Sequence, residues 1–170
     1  MSGIENFESS TVSVPSDLGL APAVDALLSG ERDWLANLAN VAALLPAYLR
    51  DINWLGFYLW RQGQLVLGPF QGLPACVRIV KGRGVCGEAA ARRTTVIVPN
   101  VRDFPGHIAC DPRSRSEIVV PMLKASRLLG VLDIDSASLG RFGEADRGVL
   151  ESVVECVVHA TDWPDFIGKD

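Results

Sequence analysis

The sequence predicts an α+β domain with a mostly antiparallel central sheet and terminal helices packed on one face. Three observations lead there. Apolar residues recur with helical spacing at both ends of the chain, the middle is a series of short β-like runs, and the connections in the second half are too short for the dozen or more residues that each βαβ crossover needs. At 170 residues the chain can bury one full core, which favours a single folding unit. The expected layout is an N-terminal extension over 1–16, the domain over 17–162 and a C-terminal tail over 163–170.

Each element has a local signature. Asp17 opens an apolar pattern through Leu18, Val24, Leu27 and Leu28 that stops at Gly30, and a second pattern runs from Glu31 through Leu35, Leu38, Val41, Leu44 and Leu45. Trp54 to Trp60 is aromatic and β-like, and Gln62-Gly63 turns it into a second run, Leu65 to Phe70, giving a hairpin. Beyond the break at Gly72 to Pro74 come a short strand around Val77 to Val80, a glycine-rich turn and an Ala-rich helix over about Gly87 to Arg93. A strand is expected over Thr95 to Val98 and irregular chain over Pro99 to Ser114. Two further strands follow at about Ser116 to Met122 and Leu128 to Asp135, and a closing helix over about Gly143 to His159.

Composition narrows the partners. With 16 basic and 20 acidic side chains the net charge is −4, which gives nucleic acid or an anionic membrane no electrostatic footprint. The first residues have no basic start and no apolar block, and no segment is apolar for long enough to span a bilayer. A cytoplasmic location follows as the expectation, and there four cysteines read as free, catalytic or metal-binding rather than as a disulfide framework.

Gly82, Gly84 and Gly87 spell G-x-G-x-x-G after an expected strand, with Asp103 about twenty residues on, as a dinucleotide fingerprint requires. The helix that follows is short, Asp103 ends no strand and no doubly wound succession appears, so a tight turn with positive φ angles is the better reading. Cys156 lies among Val153, Val154, Val157 and Val158 and reads as a small apolar side chain. Cys76, Cys86 and Cys110 fall in or beside loops. A zinc site drawing on them and His107 lacks a C-x2-C pair and has wide spacings. Asp133 and Asp135 are two apart on a strand and share a face, and Glu117 on the preceding strand could join them. Such a cluster would hold at least one proton and suit an ammonium ligand, although a solvated sheet edge explains the same residues equally well.

At this point the blocks resemble a family. Phe104-Pro105-Gly106-His107-Ile108-Ala109-Cys110-Asp111, followed by Ser114-x-Ser116-Glu117-Ile118-Val119-Val120-Pro121, is similar to the signature of the free methionine-(R)-sulfoxide reductases. Trp54-Leu55-Gly56-Phe57-Tyr58, Gly68-Pro69-Phe70-Gln71-Gly72, Ala75-Cys76, Gly82-x-Gly84-Val85-Cys86-Gly87 and Leu132-Asp133-Ile134-Asp135-Ser136 resemble the family's other blocks in the same order, covering about Asn53 to Glu151. The resemblance implies a single GAF domain with a ligand pocket under loops on the sheet face opposite the helices. It also implies reduction of free L-methionine-(R)-sulfoxide without a metal or organic cofactor, thioredoxin as electron donor and a homodimer. By the same resemblance Cys110 is the nucleophile that becomes a sulfenic acid, Cys76 the resolving cysteine, and Cys86 a third cysteine able to exchange. Glu117, Asp133 and Asp135 form the acidic substrate site, and Trp54 and Tyr58 its aromatic wall. A GAF module that only senses a small molecule is the competing expectation. Local electrostatics alone would choose Cys86 as nucleophile, since it opens a helix whose dipole lowers a thiol pKa.

Overall fold

A computed structural model describes residues 19–107 and 111–170 of the chain. Its centre is a six-stranded antiparallel sheet in the order β3-β2-β1-β6-β5-β4. The strands are β1 (Trp54–Arg61), β2 (Gln64–Gln71), β3 (Arg78–Val80), β4 (Val96–Val98), β5 (Ser116–Lys124) and β6 (Arg127–Ser136). Two tight hairpins seen in the sequence, β1–β2 and β5–β6, are joined side by side through β1 and β6.

Strand alternation divides the core in two. Leu55, Phe57 and Leu59 of β1, Ile118, Val120 and Met122 of β5, and Leu132 and Ile134 of β6 face one way. They meet α1 (Leu20–Leu28), α2 (Trp34–Tyr48) and α4 (Glu144–Ala160), whose Val24, Leu38, Leu45, Leu150, Val153 and Val157 are buried against them. Helices from both ends therefore cover one face, as expected. Asp33 caps α2 by accepting from the backbone N–H groups of Leu35 and Ala36, each at 2.9 Å. The cap sets the helix start three residues later than the apolar pattern suggested, while the expected start of α1 at Asp17 and Leu18 lies outside the described residues.

The opposite face carries Trp54, Tyr58 and Trp60 of β1, Val119 of β5 and Val131 of β6, covered by α3 (Gly84–Arg92) through Val85, Cys86, Ala89 and Ala90. The glycine-rich segment is a turn. Gly82 and Gly84 have φ of +77° and +62°, and the Gly82 N–H closes the loop onto the Gly87 carbonyl at 2.8 Å. α3 thus begins at Gly84, earlier than the expected Gly87, and Cys86 lies inside its first turn rather than before it. After α4 the chain stays on the domain: Ile167 is fully buried in the helix-side core and Arg61 bridges to Lys169.

Candidate active site

The face opposite α1, α2 and α4 is where polar chemistry collects. Glu117, Asp133 and Asp135 all point there, for the same reason that Ile118, Leu132 and Ile134 point away: side chains alternate along a strand. In the sheet register Glu117 sits directly opposite Asp135, and Asp133 is two residues along on the same strand. The even choice between a solvated edge and a buried cluster is resolved, since β5 and β6 are interior strands and the three carboxyls are only 5–7% exposed.

Burial dominates their protonation. Desolvation first, then the charges of Asp133 and Asp135, push the Glu117 carboxyl well above the usual range. Desolvation and the charge of Asp133 do the same to Asp135. Asp133 is raised less, to about 6, because hydrogen bonds from Cys86 and Glu117 favour its ionised form. One Asp133 carboxyl oxygen, Oδ1, has no hydrogen-bond partner among the described residues. Donor atoms of Cys86, Glu117 and Asp133 lie within 4.8 Å of one another.

Cys86 departs from the sequence-based electrostatic argument. Its thiol is driven well above the ordinary cysteine range, by desolvation first and then by Asp133, Glu117 and Asp135. The helix-dipole effect at α3 is the weaker one here, because the same turn presses the thiol into a buried acidic surface. Cys76 sits on the irregular segment between β2 and β3, half-buried, with its carbonyl accepting the Tyr58 hydroxyl at 3.0 Å. Cys110 lies outside the described residues. Cys156 packs, partly buried, against the helix-side core.

Trp54 and Tyr58 are i, i+4 on β1 and share the acidic face. Their rings stack at 6.0 Å, and Phe70 extends the wall to Trp54 at 5.5 Å. Between them is Gly56, opposite Asp133 in the register, where a Cβ would come within 2.4 Å of Phe70 Cβ and 2.8 Å of the Trp54 ring. The position must lack a side chain for the wall to close. The Trp54 indole is tied to the Leu73 carbonyl at 3.0 Å, so the ring and the Cys76 segment hold one another.

Several residues outside the sequence-based set belong here. The small cavity over the acids is lined also by Arg83, His107 and Ser114. His107 Nε2 is 3.7 Å from Glu117 Oε2, and burial lowers its pKa, keeping the ring neutral near pH 7. Ser114 hydrogen-bonds Asp135. Asp111 is 2% exposed, yet the Arg113 guanidinium at 2.7 Å and the Asn53 amide at 2.9 Å hold its carboxyl far below the usual range. The Asn53 amide also donates to Ser114 at 3.0 Å, linking Asp111 to the acidic cluster through Asn53 and Ser114. In sequence Asp111 marks only an Asp-Pro turn, and its partners come from elsewhere in the chain. A larger groove of about 510 Å³ between α4 and β5 lies on the helix side, lined by Arg147, Glu151 and Val154 among others and by no cysteine.

The chain can now be set beside known proteins. The family model described as GAF domain matches residues 25–160. The free methionine-R-sulfoxide reductase of Escherichia coli is 52% identical over 148 residues, which cover 85% of this chain and 90% of that protein. The fRMsr of Staphylococcus aureus, solved in complex with substrate, superposes with a TM-score of 0.80 at 47% identity, covering 83% of this chain and 92% of that one. The free methionine-R-sulfoxide reductase of Neisseria meningitidis, also solved in complex with its substrate, gives a TM-score of 0.80 at 45% identity over 83% of this chain and 85% of that one.

Proposed function

The chain belongs to the GAF-domain family and, within it, to the free methionine-R-sulfoxide reductases, and from that premise we propose that it reduces free L-methionine-(R)-sulfoxide through a sulfenic acid on Cys110. The observation that carries the reading is the placement of Glu117, Asp133 and Asp135, buried together beside the Trp54 and Tyr58 rings. A free amino acid brings an ammonium group and an S-methyl group. A buried carboxylate suits the first, and an aromatic face suits the second.

Sulfoxides yield to thiols only when the oxygen is protonated or strongly hydrogen-bonded as charge builds on it. Asp133, whose Oδ1 has no hydrogen-bond partner among the described residues, is fitted to hold the ammonium. Burial first, and then the neighbouring acids, raise the Glu117 and Asp135 carboxyls, which fits them to donate a proton to the sulfoxide oxygen. The Cys110 thiolate attacks the substrate sulfur, the protonated oxygen passes from that sulfur to the Cys110 sulfur as the substrate S–O bond breaks and a new S–O bond forms, and methionine departs, leaving Cys110 as the sulfenic acid. The Cys76 thiol then displaces that hydroxyl as water, forming the Cys76–Cys110 disulfide, and thioredoxin returns both sulfurs to thiols. Cys86, buried and protonated, serves in this scheme as hydrogen-bond donor to Asp133 before any part in exchange.

The cavity over the acids has a volume of about 20 Å³, room for one water molecule. Substrate entry therefore widens it. A single-turnover assay with free methionine-(R)-sulfoxide and no recycling reductant tests the scheme: the unmodified protein forms one equivalent of methionine and Cys110→Ser forms none. Methionine formation surviving in Cys110→Ser but lost in Cys86→Ser would overturn it. Ligand binding with unchanged thiol titre would point instead to a sensor.

A further inference from the structure

The segment carrying Cys76 has a surface that the catalytic site does not use. Leu73, Val77 and Val80 are 47%, 64% and 61% exposed, three large apolar side chains within eight residues, set around a half-buried cysteine. Their backbones are nevertheless fixed. The Leu73 carbonyl accepts the Trp54 indole, the Val77 carbonyl accepts the Leu67 N–H at 3.0 Å, and Val80 pairs with Gln64 in β3. These side chains are thus held outward by a rigid frame, at the open edge of the sheet. Charge separates the same stretch from the rest of the molecule. Residues 72–83 include Arg78, Lys81 and Arg83 and no acid, in a chain whose net charge is −4.

We infer that this apolar patch, with Arg78 and Lys81 at its rim, is the docking surface for a dithiol protein with an acidic rim around its own thiols. The inference rests on the reading of Cys76 as a partner in the catalytic disulfide. Reduction requires a partner thiolate to attack one sulfur in line with the S–S bond, forming a mixed disulfide and releasing one cysteine as a thiol. The partner's second thiol then closes the partner's disulfide and releases the other, so two electrons and two protons pass from the dithiol. A small dithiol can make that approach alone. A protein can make it only by covering the residues on both sides of the attacked sulfur, and here those are Leu73 and Val77. An exposed apolar patch flanked by one sign of charge supplies both burial on docking and steering toward it.

The test compares two reductants on one enzyme. Steady-state turnover of free methionine-(R)-sulfoxide is followed with thioredoxin, thioredoxin reductase and NADPH, and separately with dithiothreitol. In Leu73→Ser/Val77→Ser the KM for thioredoxin is expected to rise by about tenfold, while dithiothreitol-supported turnover stays at the unmodified level. Arg78→Glu/Lys81→Glu is expected to lower kcat/KM for thioredoxin most at low salt, again with dithiothreitol turnover unchanged. Equal losses with both reductants, or no change with either, would overturn the docking surface. So would a patch that proves to join two copies of the chain, with the Ser variant shifting from dimer to monomer in size-exclusion chromatography at an unaltered thioredoxin KM. Absence of dithiothreitol turnover in the unmodified protein would instead refute the disulfide scheme itself.

Discussion

Asp111 keeps its negative charge at 2% exposure because hydrogen bonds from the Arg113 guanidinium, the Arg113 backbone and Asn53 replace the water it has lost. Arg113 is itself 59% exposed, so the ion pair adds only modest stability, and the larger cost of removing Asp111 is to strand its partners. Asp111 is the peptide neighbour of Cys110. Asp111→Ala is expected to destabilise the protein by about 1–3 kcal/mol, read by urea unfolding, and to lower kcat/KM roughly tenfold. The three buried acids should separate by kinetics if they play the proposed roles. Glu117→Gln and Asp135→Asn remove a proton donor and are expected to lower kcat by about 10²–10⁴, whereas Asp133→Asn acts mainly on KM. Since the donor must be protonated, kcat of the unmodified enzyme should fall as pH rises through the raised carboxyl pKa values.

At the scale of elements, α3 joins the pocket to the edge strand, and its glycines decide whether it can. A Cβ at Gly87 would lie 2.5 Å from the Val80 carbonyl and 3.1 Å from the Gly82 nitrogen, both backbone atoms that cannot step aside. Gly87→Ala is therefore expected to cost about 1–3 kcal/mol and to raise the KM for methionine sulfoxide by displacing Cys86 from Asp133. Gly148 on α4 makes the opposite case. Nothing lies within 4 Å of its absent Cβ, so Gly148→Ala should raise stability by about 0.5–1 kcal/mol, visible as a higher Tm with kinetics unchanged. Much of this layout could be read from sequence. The period-two pattern in Val131-Leu132-Asp133-Ile134-Asp135 placed the acids on one face, whereas Trp54 and Tyr58 were singled out only by the family resemblance, and β1 sets them on the same side as the acids. What stayed hidden was long-range. The pairing of β1 with β6, which sets Trp54 opposite Asp135, has no local signal, and neither does the union of Asn53 with Asp111. Cys86 was misjudged electrostatically because a helix start is visible in sequence while the surface it packs against is not.

For the whole molecule, one face is a hydrocarbon core and the other is a core with three acids in it, and stability should carry that asymmetry as a pH dependence. Glu117, Asp133 and Asp135 have folded-state pKa values above their unfolded ones. The stability they add is fully present below the unfolded carboxyl pKa of about 4 and is lost as pH rises through the folded values. Asp111 and Asp162 are depressed, so theirs is present above about 4 and lost as pH falls. Asp162 is 69% exposed in its pairing with Arg32, which leaves Asp111 as the main acid-side contributor. The two trends leave a maximum near the unfolded carboxyl pKa, with Tm highest at about pH 4 and declining toward pH 8. Glu117→Gln should flatten the alkaline limb and raise Tm at pH 8 while lowering kcat, because the buried proton site costs stability once ionised and is, in the proposed scheme, the group that donates to the sulfoxide. Free methionine, whose ammonium would neutralise the ionised cluster, should raise Tm more at pH 8 than at pH 5. An alkaline limb equally steep in Glu117→Gln and the unmodified protein would mean that the three carboxyls do not carry the pH dependence, and would remove the physical basis for a neutral carboxylic acid donor at the site.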